Sequence, residues 1–462
     1  MKRVSSRLTG VLGVVLGAAL ATTAGAAPAA AETLVDALTT AYQSNPTLLA
    51  QRAALRATDE EVPRALSGWR PTVIFTGEAG KSQNENSSSF FTSVETRTPE
   101  QVTLDITQPL FSGGRTVNDV RRSENLVLAD RARLADTEQQ VFLDVVTVFM
   151  NVLREKAVLD LAINNEQRLR RRLQSTRDRF EVGEVTRTDV AQAISRLSVA
   201  TAERVSAEGD LTAARAAYLN VVGILPQSLS WPKAMGGLPK SDLDGRRIAA
   251  AENPALHRAV FTERAARNDV DLAIGVLLPS LDLDASLRHA NDTASQGSIS
   301  KSAELVARLT LPLYQSGAEH ARVRQARQVA SQRRIEVEES RRQVLETVTQ
   351  RWQELQTARA RTTAFKAAVK AAKTALDGVS QEAMVGTRTV LDVLDAENEL
   401  FQAKSDLVRA RRDAIVASYA LRAAIGRLTA DAVGIKGARY DPTAHYRAVR
   451  GKFFGIGADT IK

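Results

Sequence analysis

Asp392 and Asp395 stand three positions apart, directly behind the turn Gly386-Thr-Arg-Thr389. That spacing puts both carboxylates on one face of the first turns of a helix. In a three-fold assembly the face would make two stacked rings of three carboxylates, which attract cations and repel anions. This is electrostatic selection, with no bond made or broken. A plainer reading also fits Asp392, because acids favour a helix N-terminus and Thr389-x-x-Asp392 has the form of a capping box. A second turn, Gly183 followed by Thr186-x-x-Asp189, repeats that form 203 positions earlier. At this second turn Gln192 stands where Asp395 does and Val185 where Arg388 does. Capping therefore does not require Asp395.

No other constellation points to chemistry. The chain has no Cys, which removes disulfides, thiol nucleophiles and a lipidated N-terminal Cys. His257, His289, His320 and His445 have no metal-ligand spacing. There is no Gly-rich phosphate loop, nucleophile elbow or metalloprotease helix. The expectation is a non-enzyme without cofactor or metal.

The elements that carry the two turns come as two copies of one long unit. Asn45-Pro46 returns as Asn253-Pro254 and Pro71 as Pro279, both 208 positions later. Thr107-Gln-Pro109-Leu-Phe111 returns as Thr310-Leu-Pro312-Leu-Tyr314, Gly183 as Gly386 and Gly223 as Gly426, all 203 positions later. Neither half of such a duplication buries its apolar face alone. The spacing predicts a helix over 46–67 and another over 254–275, each opened by its Pro. Period-two segments follow at 101–107, 281–288 and 305–311, with Val306 breaking the alternation, and 72–79 is a weaker strand. Polar loops, 81–93 and 291–302, separate them. Four strands of about 10 residues have the length that crosses a bilayer when tilted. Open edges are not viable in lipid, so other subunits must complete the sheet.

After Gly114 and Gly317 the period becomes helical for about 65 residues, roughly 100 Å. Leu134, Val141, Val145, Val148, Val152 and Leu159 hold one seam, and Phe142, Phe149 and Leu153 a second beside it. Two seams imply neighbours on both sides, as in a ring of helices. Antiparallel partners of about 36 residues follow each turn, too short to cover the long helices, and the helices after Asn-Pro are placed to cover the rest. The expected division is 1–31 signal peptide, 32–223 first repeat, 224–250 linker, 251–426 second repeat and 427–462 tail, with linker and tail forming a belt around the middle.

Lys2, Arg3 and Arg7, the apolar run from Leu8 and the Ala29-Ala30-Ala31 site read as a secretory signal. They account for part of the net charge of +9. The remaining cations are interspersed with acids, as on solvated helix faces, and imply no nucleic-acid track. Charged residues make up 25% and aromatics only 5%, a balance suited to long helices packed through small side chains.

Gly386-Thr-Arg-Thr-Val-Leu-Asp-Val-Leu-Asp395-Ala resembles the signature turn of the TolC family of outer-membrane channel-tunnels. Phe180-Glu-Val-Gly183 through Thr188-Asp189-Val190 is similar to that family's first-repeat turn. Pro109-Leu-Phe-Ser-Gly-Gly and Pro312-Leu-Tyr-Gln-Ser-Gly resemble its strand-to-helix junctions. The likeness runs from about Leu34 to Gly426. It implies a mainly α protein with a membrane β-barrel part: a homotrimer whose 12-stranded barrel in the outer-membrane lipid of a Gram-negative bacterium continues into a 12-helix periplasmic tunnel. It implies an export duct for type I protein secretion or small-molecule efflux. The duct would dock through a periplasmic adaptor with an inner-membrane exporter, ABC-type or proton-driven, that supplies the energy. It makes Asp392 and Asp395 a pore constriction, and Arg388 a link to Thr188 and Asp189 of a neighbouring helix pair that holds the tip shut. Ala383 departs from the pattern, since a family member carries a tip-holding Tyr three residues before this Gly. The alternative is a periplasmic coiled-coil adaptor or scaffold, which would use the same helical hairpins but has no need of strand pairs.

Overall fold

The computed structural model describes residues 32–457. The signal-peptide segment lies outside the described residues. The first copy runs through α1 (Leu34–Ser44), α2 (Pro46–Asp59), α3 (Glu61–Leu66), β1 (Thr72–Ala79), β2 (Ser82–Ser87), β3 (Thr92–Arg97), β4 (Glu100–Ser112), α4 (Arg115–Glu181) and α5 (Arg187–Val222). The second runs through α6 (Asp242–Glu252), α7 (Pro254–Gly275), β5 (Ser280–Asn291), β6 (Ile299–Thr310), α8 (Ala318–Met384) and α9 (Val390–Ala424). Two short helices, α10 (Ala430–Val433) and α11 (Ala444–Val449), follow.

Three expectations need correction. The helix expected over 46–67 is broken between α2 and α3 and ends in a 3-10 turn at Ser67–Trp69. Pro63 has no N–H to give the Asp59 carbonyl, so the helical ladder cannot run through. The loop expected over 81–93 is largely the hairpin β2–β3, with Ser82 opposite Arg97 and Ser87 opposite Thr92. Its second strand carries the β-branched Thr92, Val94 and Thr96, which compensate for the weak propensity of the first. The second repeat also begins before 251, because α6 stands 208 positions after α1 and falls mostly inside the supposed linker. The period of an 11-residue Ala-rich helix is too short a signal to separate it from a linker.

The Asn-Pro landmarks now have a physical cause. Asn45 Oδ1 accepts from the amides of Thr47 (3.0 Å) and Leu48 (3.3 Å), capping α2, while its Nδ2 donates to the Val221 carbonyl (2.9 Å) at the end of α5. Asn253 caps α7 through Ala255 (2.9 Å) and Leu256 (3.4 Å) and donates to the Ala424 carbonyl (2.9 Å) at the end of α9. One side chain thus satisfies the orphan groups of two helix ends. It stacks α2 above α5 and α7 above α9 along the long helices.

Both seams of α4 are covered where these junctions fall. Val145, Phe142 and Phe149 are fully buried with Leu38, Leu48, Tyr218 and Leu428. The Tyr42 and Phe142 rings lie 6.0 Å apart, and those of Phe149 and Tyr218 6.4 Å. The belt is this core, made of α1, the end of α5 and the 428–435 segment around the middle of α4.

At the other end the strands form one antiparallel sheet in the order β1-β4-β5-β6. Its register aligns Phe75, Leu104, Leu287 and Ala303 across all four strands, and Val73, Ile106, Ala285 and Leu305 in the next row. With Val102, Leu283, Ala307 and Leu309 these make one face almost wholly apolar, between Gln108 at its inner end and His289 and Lys301 at its outer end. The opposite face carries Thr76, Thr103, Asp105, Thr107, Asp284, Ser286, Arg288 and Arg308, with Ile74 and Val306 as exceptions. Thr107 donates to Asp284 (2.9 Å), and Arg308 pairs with the same carboxylate (3.0 Å). An apolar face opposite a hydrogen-bonded polar face is the pattern of a strand between lipid and a water-filled lumen. No helix among the described residues is long and apolar enough to cross a membrane.

Candidate functional site

The sequence singles out the far ends of the helical hairpins, and there the two copies share a backbone. Gly183 and Gly386 both have φ of +81°, a left-handed conformation that residues with a Cβ seldom adopt. The Glu184 amide donates to the Arg179 carbonyl (2.9 Å) and the Gly183 amide to Phe180 (3.0 Å). In the second copy Thr387 donates to Glu382 (3.0 Å) and Gly386 to Ala383 (3.3 Å). This pair of bonds is a Schellman ending, and it uses Ala383 only through its backbone.

Each return helix then opens on a capping box. The Thr186 amide and hydroxyl donate to Asp189 Oδ2 (2.8 and 2.7 Å), and those of Thr389 to Asp392 Oδ2 (2.9 and 2.8 Å). The Thr389 amide, and then its hydroxyl, hold the Asp392 carboxyl below the usual carboxylate range. Asp392 is therefore a charged cap at neutral pH. Asp189 has the same capping geometry, and Thr188 beside it is exposed.

The side chains across the turns differ in sign. In the first copy Arg179 pairs with Glu184 (2.9 Å); in the second Glu382 pairs with Arg388 Nε (2.9 Å). Within the chain Arg388 therefore bonds its own turn, and the structure does not bring it to Thr188 or Asp189. Asp395 reaches the other copy: its Oδ1 accepts from Arg196 Nη2 of α5 at 2.6 Å. Two residues further along α9, on a different face, Glu397 is buried and meets Arg172 of α4 at 3.3 Å. Asp392 and Asp395 thus sit on neighbouring turns as their spacing implies, but one caps its helix and the other ties two copies together.

Sequence reasoning missed Arg196, Glu382, Arg172 and Glu397. For Glu382 a signal existed, since it and Arg388 flank the turn with opposite charges, as Arg179 and Glu184 do. For Arg196 there was none, because its partner depends on how α5 and α9 are staggered. Among the described residues no group of three or more His, Cys, Asp or Glu could hold a metal ion.

This architecture has close relatives. The outer membrane efflux protein family matches residues 37–223 and 246–427. The chain is 36% identical over 429 residues to the outer membrane efflux protein BepC of Brucella suis, covering 93% of this chain and 92% of that one. It is 27% identical over 427 residues to the outer membrane protein TolC of Escherichia coli, covering 86% and 83%. Its fold matches the outer membrane channel CmeC of Campylobacter jejuni with a TM-score of 0.77 at 14% identity, over 86% of each chain. With its duplicated hairpins and two-faced sheet, the chain belongs to the outer membrane efflux protein family: it is an export duct of a Gram-negative outer membrane and not an enzyme.

Proposed function

We propose that three copies close into one duct, a 12-stranded barrel in the outer membrane continuous with a 12-helix tunnel in the periplasm. The observation that carries this reading is that sheet and helices are open at matching sides. The strands run β1-β4-β5-β6, and below them α4 packs on α5 and α9, and α9 on α8. Each layer ends on one side in a first-copy element, β1 or α5, and on the other in a second-copy element, β6 or α8. An unpaired strand edge in lipid is costly, so β6 of one copy pairs with β1 of the next. The adaptor alternative has no use for a sheet with one apolar face.

The duct exports proteins, small molecules or both, and docks at its helical end with a periplasmic adaptor and an inner-membrane exporter. The free carboxylate oxygens of Asp392 and the Asp395 carboxylates form the acidic constriction at that end. In the assembled tip, Arg388 exchanges Glu382 for Thr188 or Asp189 of a neighbouring hairpin and holds the duct shut. Native mass spectrometry in mild detergent tests the assembly: a trimer is expected, and a monomer overturns the reading. Planar-bilayer recordings test the constriction. Divalent or trivalent cations added at the tip side should block current, and Asp392→Ala with Asp395→Ala should remove most of that block. Unchanged block would leave Asp392 a cap and Asp395 a structural partner of Arg196.

A further inference from the structure

The last described residues climb from the belt toward the sheet. The Arg131 guanidinium lies 5.0 Å from the centre of the Tyr446 ring. Seven residues nearer the sheet on α4, about 10 Å of helix, Glu124 accepts from Tyr446 Oη (3.3 Å) and Arg450 Nη2 (3.1 Å). The Lys452 carbonyl then accepts from Arg70 Nη1 (2.8 Å), and the Arg70 guanidinium stacks 4.1 Å from the centre of the Phe453 ring. Arg70 is separated from β1 by Pro71 alone. The chain has thus been carried to the periplasmic rim of the sheet.

At that rim it displays large apolar side chains to the outside. Phe453 is 67% exposed, Phe454 91% and Ile456 fully so, and Trp69 beside Arg70 is 44% exposed. Such a group on six residues gains nothing in water. The apolar surface runs on through Trp69 to Val73 and Phe75, the first lipid-side residues of β1. Arg70 and Lys452 supply positive charge at the same level, while Arg450, further down α4, is paired with Glu124. Aromatic rings beside cations at the end of a membrane-spanning surface fit the headgroup zone, where one side of the ring is apolar and the other wet.

We infer that residues 452–457 form an interfacial anchor that beds into the periplasmic leaflet of the outer membrane. Arg70 is the bracket that fixes its depth. The inference rests on the reading that the apolar face of the sheet meets lipid. It goes beyond that reading by assigning a membrane contact to a segment outside the barrel strands. Attachment by a tail is shallow, because short apolar segments lie in the interface without crossing the bilayer.

The chain has no cysteine, so single-cysteine labelling is clean. Phe454→Cys, Leu305→Cys in the sheet and Arg171→Cys on the helical body would each carry an environment-sensitive fluorophore. The full-length assembled protein would be placed in vesicles of phosphatidylethanolamine and phosphatidylglycerol. Doxyl lipids labelled near the headgroup should quench position 454 about two-fold or more and position 171 not at all, as expected for an interfacial group. Lipids labelled deep in the chain should quench position 305. Iodide in the water should quench 171 but spare 454. If iodide quenches 454 as it does 171, the segment is in water and the inference falls. If 454 is shielded from both quenchers, a neighbouring copy covers it and the inference also falls. Quenching at 454 without quenching at 305 would keep the anchor and overturn the lipid reading of the sheet.

Discussion

α4 and α8 are each 67 residues long and hold the same place in their copies, yet α4 buries 21 of its residues and α8 only six. The difference lies in their neighbours. Among the described residues α4 is wrapped by α1, α2 and α3 above, by α5 below and by α7 and α9 along its other side, whereas α8 packs mainly on α6, α7 and α9. Its core is correspondingly small, with Val344, Val348 and Leu355 beneath α6 and the end of α9. Two helices of equal design and unequal cover support the proposal that the chain is a segment of a ring, in which the second copy's outer face is finished by another chain. The tip has an asymmetry of the same kind.

The largest expected effect follows from the covered helix. Phe149 is fully buried against Tyr218, so Phe149→Ala should cost about 3–5 kcal/mol of stability. Its counterpart 203 positions on is Trp352, only partly buried on α8. Trp352→Ala should cost less in dissociated protein and more in the assembled form. Denaturant unfolding of both variants in both states checks this. Equal costs in dissociated protein would remove the distinction between the two helices.

The uncovered faces supply the next effect. Ile335 on α8 is 67% exposed in the single chain and Val205 on α5 is 54% exposed. If neighbouring chains cover each of these faces in the ring, Ile335 in the sheet-side half and Val205 in the tip-side half, an Asp at either loses apolar burial and strands a charge, on the order of 2–3 kcal/mol per interface. Ile335→Asp and Val205→Asp should each abolish the SDS-resistant trimer while leaving the helical circular dichroism of the chain intact. A trimer of unchanged heat resistance would place both residues in solvent.

A third contrast concerns α2 and α7. Asp59 is fully buried, and neither of its carboxylate oxygens has a hydrogen-bond partner. Burial pushes it from an ordinary 3.8 up to about 6, against the opposing pull of Arg131. At its counterpart on α7 stands Arg267, which is exposed and paired with Glu263. Folding favours the protonated form of Asp59, so the stability it gives is greatest near pH 4 and is lost as pH rises through 6. The loss is on the order of 2–3 kcal/mol. Asp59→Asn should flatten this slope and raise the melting temperature at pH 8, as thermal scans at pH 5 and pH 8 would register. An unaltered slope would show that Asp59 is compensated by a group of another chain.

How much was legible in the sequence follows from which forces are local. Asn45 and Asn253, the two glycine turns and the period-two strands are written in neighbouring residues, so the long hairpins and the sheet could be read directly. The hairpin β2–β3 could not, because Ser82-Gln-Asn-Glu-Asn-Ser87 takes its form from the strand it pairs with. The helices α1 and α6 were hidden by their length, although their 208-residue offset was there to be found. At the tip the caps were legible as local bonds. The tie between Arg196 and Asp395 was not, because it joins residues 199 positions apart through the stagger of two helices.

The smallest effect tests which link keeps the tip closed, and it separates the two copies most finely. Arg388 in the single chain bonds Glu382 within its own turn, whereas Arg196 joins α5 of the first copy to Asp395 on α9 of the second. If opening moves the second-copy hairpin outward past the first, only a bond between hairpins opposes it. Both pairs are exposed and individually weak, but in the proposed trimer three copies of one bond add in a single concerted transition. If the single-chain pairing persists in the trimer, Arg196→Ser should raise opening frequency in bilayer recordings, and Arg388→Ser should leave it near wild type. If assembly transfers Arg388 to Thr188 or Asp189 of a neighbouring hairpin, Arg388→Ser should open the duct at least as far as Arg196→Ser. The double variant then decides whether the links are independent, since independent bonds give additive free energies of opening. Were neither variant to change conductance, opening frequency or antibiotic leakage, the tip would be held by apolar packing around Leu394 and Leu169, with the charged pairs only trimming the turns.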